Sequence, residues 1–267
     1  LEATMRSAFE LARTGRPGPV VVDIPKDIQN WEGAFKGHGS LPLHGYRRRL
    51  AKVEENVLSD GACERFFTML SESERPLIYA GGGVINANAT KAMRRLANEY
   101  GIPVTTTLMA LGASDTTHPL AMHMLGMHGI ASANYAVEDC DFLIAVGARF
   151  DDRVAGNPGQ FAPSAKNIAH FDVDFAEIGK VKRVNWHHVG MLERDLTDML
   201  AYGRRIKFAK SFDQWHEEIA GLKSDYALNY DRNSDLIQPY AVIEEINKHS
   251  KGEAIIATGV GQHQMWA

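Results

Sequence analysis

The stretch RPLIYAGGGVINANATKAMRRLANEYGIPVTTT, residues 75–107, decides the fold. Its apolar run PLIYA predicts a strand, NATKAMRRLANEYG predicts a helix that ends at Gly101, and IPVTTT predicts a second strand. Both apolar runs are continuous rather than alternating, which is typical of strands buried on both faces. A strand, a helix and a strand in this order form a βαβ unit, so we expect a parallel sheet covered by helices on both sides.

The same pattern continues along the chain. A helix is predicted near residues 60–72, and SANYAVEDC and MLERDLTDML predict two further helices. DFLIAVGA, NIAHFDVD and the short NWHHVG predict strands, with a short helix over FAEIGKVK. We therefore predict an α/β fold, a doubly wound parallel sheet, over residues 60–202.

The two flanks predict parts of further α/β domains. An opening helix keeps apolar spacing up to Gly15, and GPVVVDIP predicts a strand; at the other end, QPYAVIEEINKHS predicts a helix and EAIIATGVG a strand within residues 237–267. Residues 30–59 and 203–236 mix glycine, proline, charged and polar residues and are interpreted as linkers. The first residue is not methionine and the chain stops just after a strand-like run, so we expect a piece of a longer protein.

Composition limits the partners. The 267 residues are 45% hydrophobic and carry a formal net charge of -4, which leaves no excess of positive charge for nucleic acid or an anionic membrane surface. No apolar run approaches membrane-spanning length, and the start lacks the order of a secretory signal. The two cysteines, Cys63 and Cys140, have no CxxC spacing. We expect a cytoplasmic protein, or one from a plastid or mitochondrion, without membrane or nucleic-acid partners.

Several predicted strands end in residues suited to a ligand, and ligands bind at the carboxyl ends of parallel strands. GARFDDRVAG, residues 147–156, places two arginines and two aspartates there, either for an anionic ligand or paired with each other in a solvated loop. AGGGV allows close approach to a pyrophosphate but is not a GxGxxG fingerprint. In FDVD, Asp172 and Asp174 suit ribose hydroxyls or a helix N-cap, and TTTLM offers hydroxyls and apolar surface or simply core.

The histidines of HPLAMHMLGMHG do not predict a metal site. His118, His123 and His128 are spaced by five residues rather than by the four of helical ligand pairs, and no HExxH carboxylate accompanies them. The intervening methionines are interpreted as adaptable packing around a bulky flat ligand or within a core. We expect no metal ligand in this chain.

Taken together, RTGRPGPVVVDIPKDIQ, AGGGV, TTTLM, MLGMHG, ANYAVEDCD, GARFDDRVAG, HFDVDFAEIGK and TGVGQHQMWA resemble the catalytic subunits of acetohydroxyacid synthases, also called acetolactate synthases. The resemblance runs in order through nearly the whole chain. RFDDR together with GVGQHQMWA favours this family over glyoxylate carboligase or pyruvate oxidase. It implies that residues 1–29 end a pyrimidine-binding domain, that residues 60–202 form a central FAD-binding domain, and that residues 237–267 begin a diphosphate-binding domain.

The resemblance also implies three sets of ligand residues. Arginines suit a diphosphate because they donate paired hydrogen bonds, and carboxylates suit ribityl and ribose hydroxyls. The residues expected at FAD are Arg16, Gly81, Gly82, Thr107, Leu108, Met109, Leu125, His128, Arg149, Asp151, Arg153, Asp172 and Val173. Those expected at thiamine diphosphate are Gln262 and His263, and those expected along the substrate channel are Lys26, Met127, Asp152 and Arg153.

The implied activity joins a hydroxyethyl carbanion from pyruvate to a second pyruvate or 2-oxobutyrate, in branched-chain amino acid biosynthesis. Thiamine diphosphate and Mg²⁺ would serve the reaction, and FAD would take no net part. The ylid-forming glutamate and the Mg²⁺ ligands are expected outside residues 1–267, so no catalytic residue is assigned and the chain alone is expected to be inactive. A homodimer or homotetramer is implied, with a possible regulatory subunit. Another thiamine-dependent carboligase or oxidase, or an inactive nucleotide-binding module, remain alternatives.

Overall fold

A six-stranded parallel sheet forms the centre of the protein in a computed structural model, which describes residues 1–34 and 45–267. The strand order is β3-β2-β1-β4-β5-β6, and every neighbouring pair is parallel. The order reverses between β1 and β4, which confirms the predicted α/β doubly wound fold. The strands are β1 (Pro76–Ala80), β2 (Val104–Thr106), β3 (Ala121–Met124), β4 (Phe142–Val146), β5 (Asn167–Asp172) and β6 (Trp186–Val189).

Helices flank this sheet and extend beyond it at both ends of the chain. Those predicted near residues 60–72, 88–101, 132–140 and 191–200 are all present, within a few residues of the expected limits. The helices are α1 (Glu2–Arg13), α2 (Lys26–Gln29), α3 (Tyr46–Glu55), α4 (Asp60–Glu72), α5 (Gly83–Asn86), α6 (Thr90–Tyr100), α7 (Ala131–Asp139), α8 (Asp152–Ala155), α9 (Leu192–Arg205), α10 (Asp213–Asp225), α11 (Pro239–Ser250) and α12 (Gln262–Trp266).

Aromatic side chains join α4 to one face of the sheet. The fully buried ring of Phe66 lies 5.5 Å from Phe142, 6.0 Å from Phe171 and 5.5 Å from Trp186, measured between ring centroids. Burying a phenylalanine side chain contributes roughly 1.5–3 kcal/mol, and edge-to-face contacts add to this. This cluster fixes β4, β5 and β6 beneath α4, and thereby the position of their carboxyl ends.

The two strands predicted outside the central sheet are wrong. Residues 18–25 and 253–261 contain no strand, and Val21 and Ile255 are 90% and 99% exposed. Their valine- and isoleucine-rich sequences suit a buried strand, but a strand also requires a partner for its backbone hydrogen bonds. Within the described ranges, no strand pairs with either segment.

Both predicted linkers contain helices. α3 lies in the first, whose residues 35–44 fall outside the described residues, and α10 lies in the second. α10 contributes to the core: Trp215 and Ile219 are each 1% exposed, and the indole N–H of Trp215 donates to the carbonyl of Pro76 over 3.0 Å. The short helix predicted over FAEIGKVK is only a 3-10 turn, Phe175–Glu177, which the side chain of Asp174 caps. The domain limits remain predictions.

Candidate functional site

The loops that follow β1 and β4 meet at the point where the strand order reverses. The backbone N–H of Gly81 donates to Val146 over 2.9 Å, and that of Gly83 donates to the carbonyl of Gly147 over 3.0 Å. A Cβ on Gly81 would fall inside contact distance of the Gly147 carbonyl and 2.5 Å from Cα of Ala148. The glycines predicted for phosphate approach are therefore required, in the described structure, by the contact between these two loops.

The loops after β2 and β3 reach the same edge. A Cβ on Gly82 would lie 2.9 Å from Cβ of Met109, and the backbone N–H of Met127 donates to the carbonyl of Arg153 over 3.0 Å. The Thr107 hydroxyl is buried and has no hydrogen-bond partner within residues 1–34 and 45–267. Four loops thus bring together most of the residues predicted for FAD, although two strands separate β3 from β4 in sheet order.

The charges of GARFDDRVAG are partly paired with each other. Arg149 forms an ion pair with Asp151, whose carboxylate also caps α8 by accepting the backbone N–H of Arg153 over 3.3 Å. Interaction with the neighbouring Asp152 side chain, that backbone N–H and the charge of Arg149 hold the pKa of Asp151 below its ordinary value. The Arg149 side chain is 57% exposed, so most of its five donors remain open to a ligand. The charged residues of this loop can therefore pair with each other and still bind an anionic ligand.

Phe150 anchors this loop, and sequence reasoning did not single it out. Its backbone has a φ of 56°, and its buried ring lies 5.4 Å from Tyr79 and 5.3 Å from His170. Ala145 is in register with both of those residues, so its small side chain leaves room for the ring between them. A left-handed conformation in a bulky residue costs roughly 1–2 kcal/mol, which the buried ring offsets. The sequence feature that could have indicated this role is a single apolar residue between charged residues in the loop after β4.

The end of β5 forms a second charged group with Arg16. Arg16 forms ion pairs with the nearly buried Glu177 and, over 3.3 Å, with Asp174. Burial of the guanidinium opposes ionisation, but the hydrogen bonds to these two carboxylates raise the pKa of Arg16. Asp174 also caps the 3-10 turn by accepting the N–H of Ala176 over 3.0 Å, as the N-cap alternative predicted. Asp172 accepts the N–H of Asp174 over 2.9 Å.

A cleft of about 920 Å³ opens beside Arg16. Its walls come from α1, from α3 and from the ends of β5 and β6, and ligand pockets of roughly 300–1,000 Å³ are typical. Arg16, Arg49 and Lys52 supply positive charge, while Tyr46 and Phe175 supply aromatic surface. Val173, one of the residues predicted for FAD, also lines it. Glu55 and Asp174 also line the cleft, so it offers charges of both signs beside its aromatic surface.

Some predicted residues lie apart from this edge. Lys26 begins the short helix α2 on the surface, and Gln262 and His263 are exposed on α12, which packs against α11. Leu125 is buried and His128 exposed, both in the loop after β3. Among residues 1–34 and 45–267, no group of three or more potential ligand residues is placed to hold a metal ion. No helix in the same ranges has the length and apolar character needed to cross a membrane.

Comparison with known proteins assigns the fold to a family. Residues 63–199 match the model for the thiamine pyrophosphate enzyme, central domain. The chain belongs to the thiamine pyrophosphate enzyme family. The match covers the whole sheet from α4 to α9, and thus every loop at the carboxyl edge.

Relatives within this family are similar over nearly the whole chain. The acetolactate synthase large subunit of Corynebacterium glutamicum is 44% identical over 265 residues, 98% of this chain and 41% of the relative. The chloroplastic acetolactate synthase 1 of Zea mays is 44% identical, with 98% and 40% covered. The acetolactate synthase isozyme 1 large subunit of Escherichia coli is 40% identical over 266 residues, 100% of this chain and 45% of the relative. These similarities confirm the resemblance, and the chain spans about two fifths of these relatives' length.

Proposed function

We propose that the chain is the central part of the catalytic subunit of an acetolactate synthase and that its carboxyl edge binds FAD. One observation carries the proposal: the loops after β1, β2, β3 and β4 converge at the reversal of strand order, in a thiamine pyrophosphate enzyme central domain. In doubly wound sheets this reversal is where dinucleotides bind. The relatives named acetolactate synthase supply the reaction.

The residues at this edge have the chemistry that FAD requires. The guanidinium groups of Arg149 and Arg153 are exposed and suited to a diphosphate, because each can donate two parallel hydrogen bonds. Asp172 is an acceptor for ribityl or ribose hydroxyls. Thr107 has a buried hydroxyl without a partner, and a bound polar group would satisfy it.

Exposed apolar side chains at the same edge would cover a flat ring. Leu108, Met109 and Met127 are 51%, 75% and 64% exposed, although they surround a polar site. Each Å² of apolar surface removed from water contributes about 25 cal/mol, so covering them favours a bulky aromatic ligand. Methionine suits such a contact because its side chain is flexible and polarisable. FAD therefore fits both the charged and the apolar residues of this edge.

The other predicted residues receive supporting roles. Thiamine diphosphate, when bound, supplies the stabilisation of the carbanion formed from pyruvate. Gln262 and His263 would contact that cofactor, and Lys26, Asp152 and Met127 would line the path of the 2-oxo acids. We assign no Mg²⁺ ligand and no proton-transferring residue to the chain. The assembly we propose is a homodimer or homotetramer with a regulatory subunit, in the cytoplasm or an organelle.

Two assays test this function separately. Acetolactate formation from pyruvate, measured on the longer protein that we propose contains this chain, with thiamine diphosphate, Mg²⁺ and FAD, should exceed its rate without thiamine diphosphate, whereas residues 1–267 alone should form none. FAD binding should be measurable by equilibrium dialysis without any substrate. Formation of a product other than acetolactate from pyruvate would assign the chain to another thiamine-dependent enzyme. A protein that retains no FAD at saturating concentration would refute the flavin site.

A further inference from the structure

His170 is a buried polar residue that none of the predicted roles uses. It lies in β5 with 0% of its surface exposed, and neither of its ring nitrogens has a hydrogen-bond partner among the described residues. The Phe150 ring meets it edge-on, with centroids 5.3 Å apart. A buried polar group without a partner is costly, and an apolar residue would fill this position more favourably. The imidazole therefore requires an explanation beyond packing.

Asp172 is the nearest candidate partner. The two residues are two apart on one strand, so their side chains share a face of the sheet. Nε2 of His170 lies 3.5 Å from Oδ2 of Asp172, the only carboxylate among the described residues within 4.0 Å of that ring. The other oxygen, Oδ1, already accepts the backbone N–H of Asp174 over 2.9 Å. A shift of a few tenths of an ångström would bring Nε2 within hydrogen-bond distance.

We propose that His170 is a positioning residue, whose Nε2–H holds the Asp172 carboxylate in the orientation that accepts a nucleotide hydroxyl. This inference rests on the proposed FAD site. With Oδ1 held by a backbone N–H and Oδ2 by the imidazole, the carboxylate is fixed from below. Its outward lone pairs remain for the ligand. Support of this kind, from a second residue behind the one that touches the ligand, is common at binding sites.

A double-mutant cycle on FAD affinity tests the proposal in the protein as it exists. His170→Phe keeps a flat ring but removes the donor, and Asp172→Ala removes the carboxylate. We expect His170→Phe to raise the FAD dissociation constant about tenfold in the presence of Asp172, since a hydrogen bond to a charged group is lost. In the Asp172→Ala background the same change should have no further effect. His170→Gln, which keeps an N–H donor, should restore most of the affinity.

Thermal unfolding separates positioning from packing. His170→Phe removes two unpaired polar atoms, so its melting temperature should be equal to or above that of the wild type while FAD binding weakens. His187→Phe is the matched control: His187 is in register with His170 on β6, but no ion pair joins it to Asp172 in the described structure. Its FAD affinity should stay unchanged. If the Phe variant is unstable, His170→Leu replaces it in the same cycle.

The outcomes are distinguishable. Suppose that the wild type binds FAD, and that His170→Phe either keeps the same affinity or multiplies its effect with that of Asp172→Ala in the double variant. Either result would overturn the positioning role and leave the flavin site intact. A wild-type protein that binds no FAD would overturn both proposals. Full coupling, with rescue by His170→Gln and an unchanged His187→Phe control, supports the role of His170.

Discussion

Replacing Gly81 by alanine should destabilise the protein and loosen the meeting point of two loops. Cβ at this position would overlap the carbonyl oxygen of Gly147 and lie 2.5 Å from Cα and 2.8 Å from Cβ of Ala148. The nearest two of these atoms belong to the backbone, so no flexible side chain can move aside. The loops after β1 and β4 would have to separate, breaking the hydrogen bond from Gly81 N–H to Val146.

The size of the effect follows from known costs. Inserting a methyl group into a tightly packed position costs typically 1–3 kcal/mol. For a chain of this size 1 kcal/mol shifts the melting temperature by about 2–4 °C, so Gly81→Ala should lower it by about 2–12 °C. The matched control is Gly221→Ala in α10, where a Cβ would meet nothing within 4 Å. That change should stabilise the helix by about 0.5–1 kcal/mol and raise the melting temperature.

Differential scanning calorimetry of the two variants and the wild type measures both shifts. The substitution is identical in the two variants, so the difference between them reports the surroundings of the glycine. A Gly81→Ala protein that melts with, or above, the wild type would refute the close approach of the loops. We also expect this variant to bind FAD less tightly, because the same loops form the proposed site.

Four further predictions follow from particular side chains. Arg149→Ala should weaken FAD binding by about 1.5–3 kcal/mol, roughly ten- to hundredfold, and should cost little stability because its ion pair is exposed. Asp152→Ala should leave FAD binding unchanged, and equal losses of FAD from the two variants in dialysis would contradict the assignment. Tyr79→Phe removes a buried hydroxyl that has no hydrogen-bond partner in the described part of the chain, so its melting temperature should be unchanged or higher, and a clear decrease would show that the hydroxyl is hydrogen-bonded. Burial raises the pKa of Cys63 to about 11, so its thiol should resist a disulfide reagent at pH 8 until the protein is denatured, and fast labelling of native protein would contradict this. Burial opposes ionisation of Asp141, but hydrogen bonds from a serine hydroxyl and two backbone N–H groups lower its pKa. The ionised carboxylate therefore stabilises the fold above its ordinary pKa near 4, and this stabilisation is lost as the pH falls through the lowered pKa. Asp141→Asn should have a lower melting temperature at pH 7 and a weaker loss of stability in acid, as unfolding curves from pH 2 to 7 would show.

The central sheet could be predicted from sequence because its strands are continuous apolar runs. β1 and β4 are buried at every position, a pattern that depends on local sequence alone. α10 could not be predicted in this way, since only Trp215 and Ile219 of its thirteen residues are buried and the rest look like a polar linker. β3 is an edge strand of four residues within a segment that was interpreted as adaptable packing. The two end segments, residues 18–25 and 253–261, show the opposite failure, because their sequences suit strands but no described strand pairs with them.

The candidate site was predictable in position but not in its internal contacts. Charged residues directly after β4 and β5 indicated the carboxyl edge of the sheet, because the carboxyl ends of parallel strands coincide. The pairing of Arg16 with Glu177 could not be inferred, since 161 residues separate them along the chain. The role of Phe150 depends on its positive φ and on the small side chain of Ala145 beneath its ring. Such contacts arise only when distant segments fold together.

A crystal structure of the protein grown with FAD tests the central claim most directly. We predict flavin density at the carboxyl edge of the sheet, over the loops that follow β1 and β4, with Arg149 within hydrogen-bond distance of the diphosphate. We also predict that Asp172 accepts a hydroxyl of the ligand. Flavin bound at the amino edge of the sheet, or density that contacts neither Arg149 nor Asp172, would contradict the assignment of this edge as the FAD site.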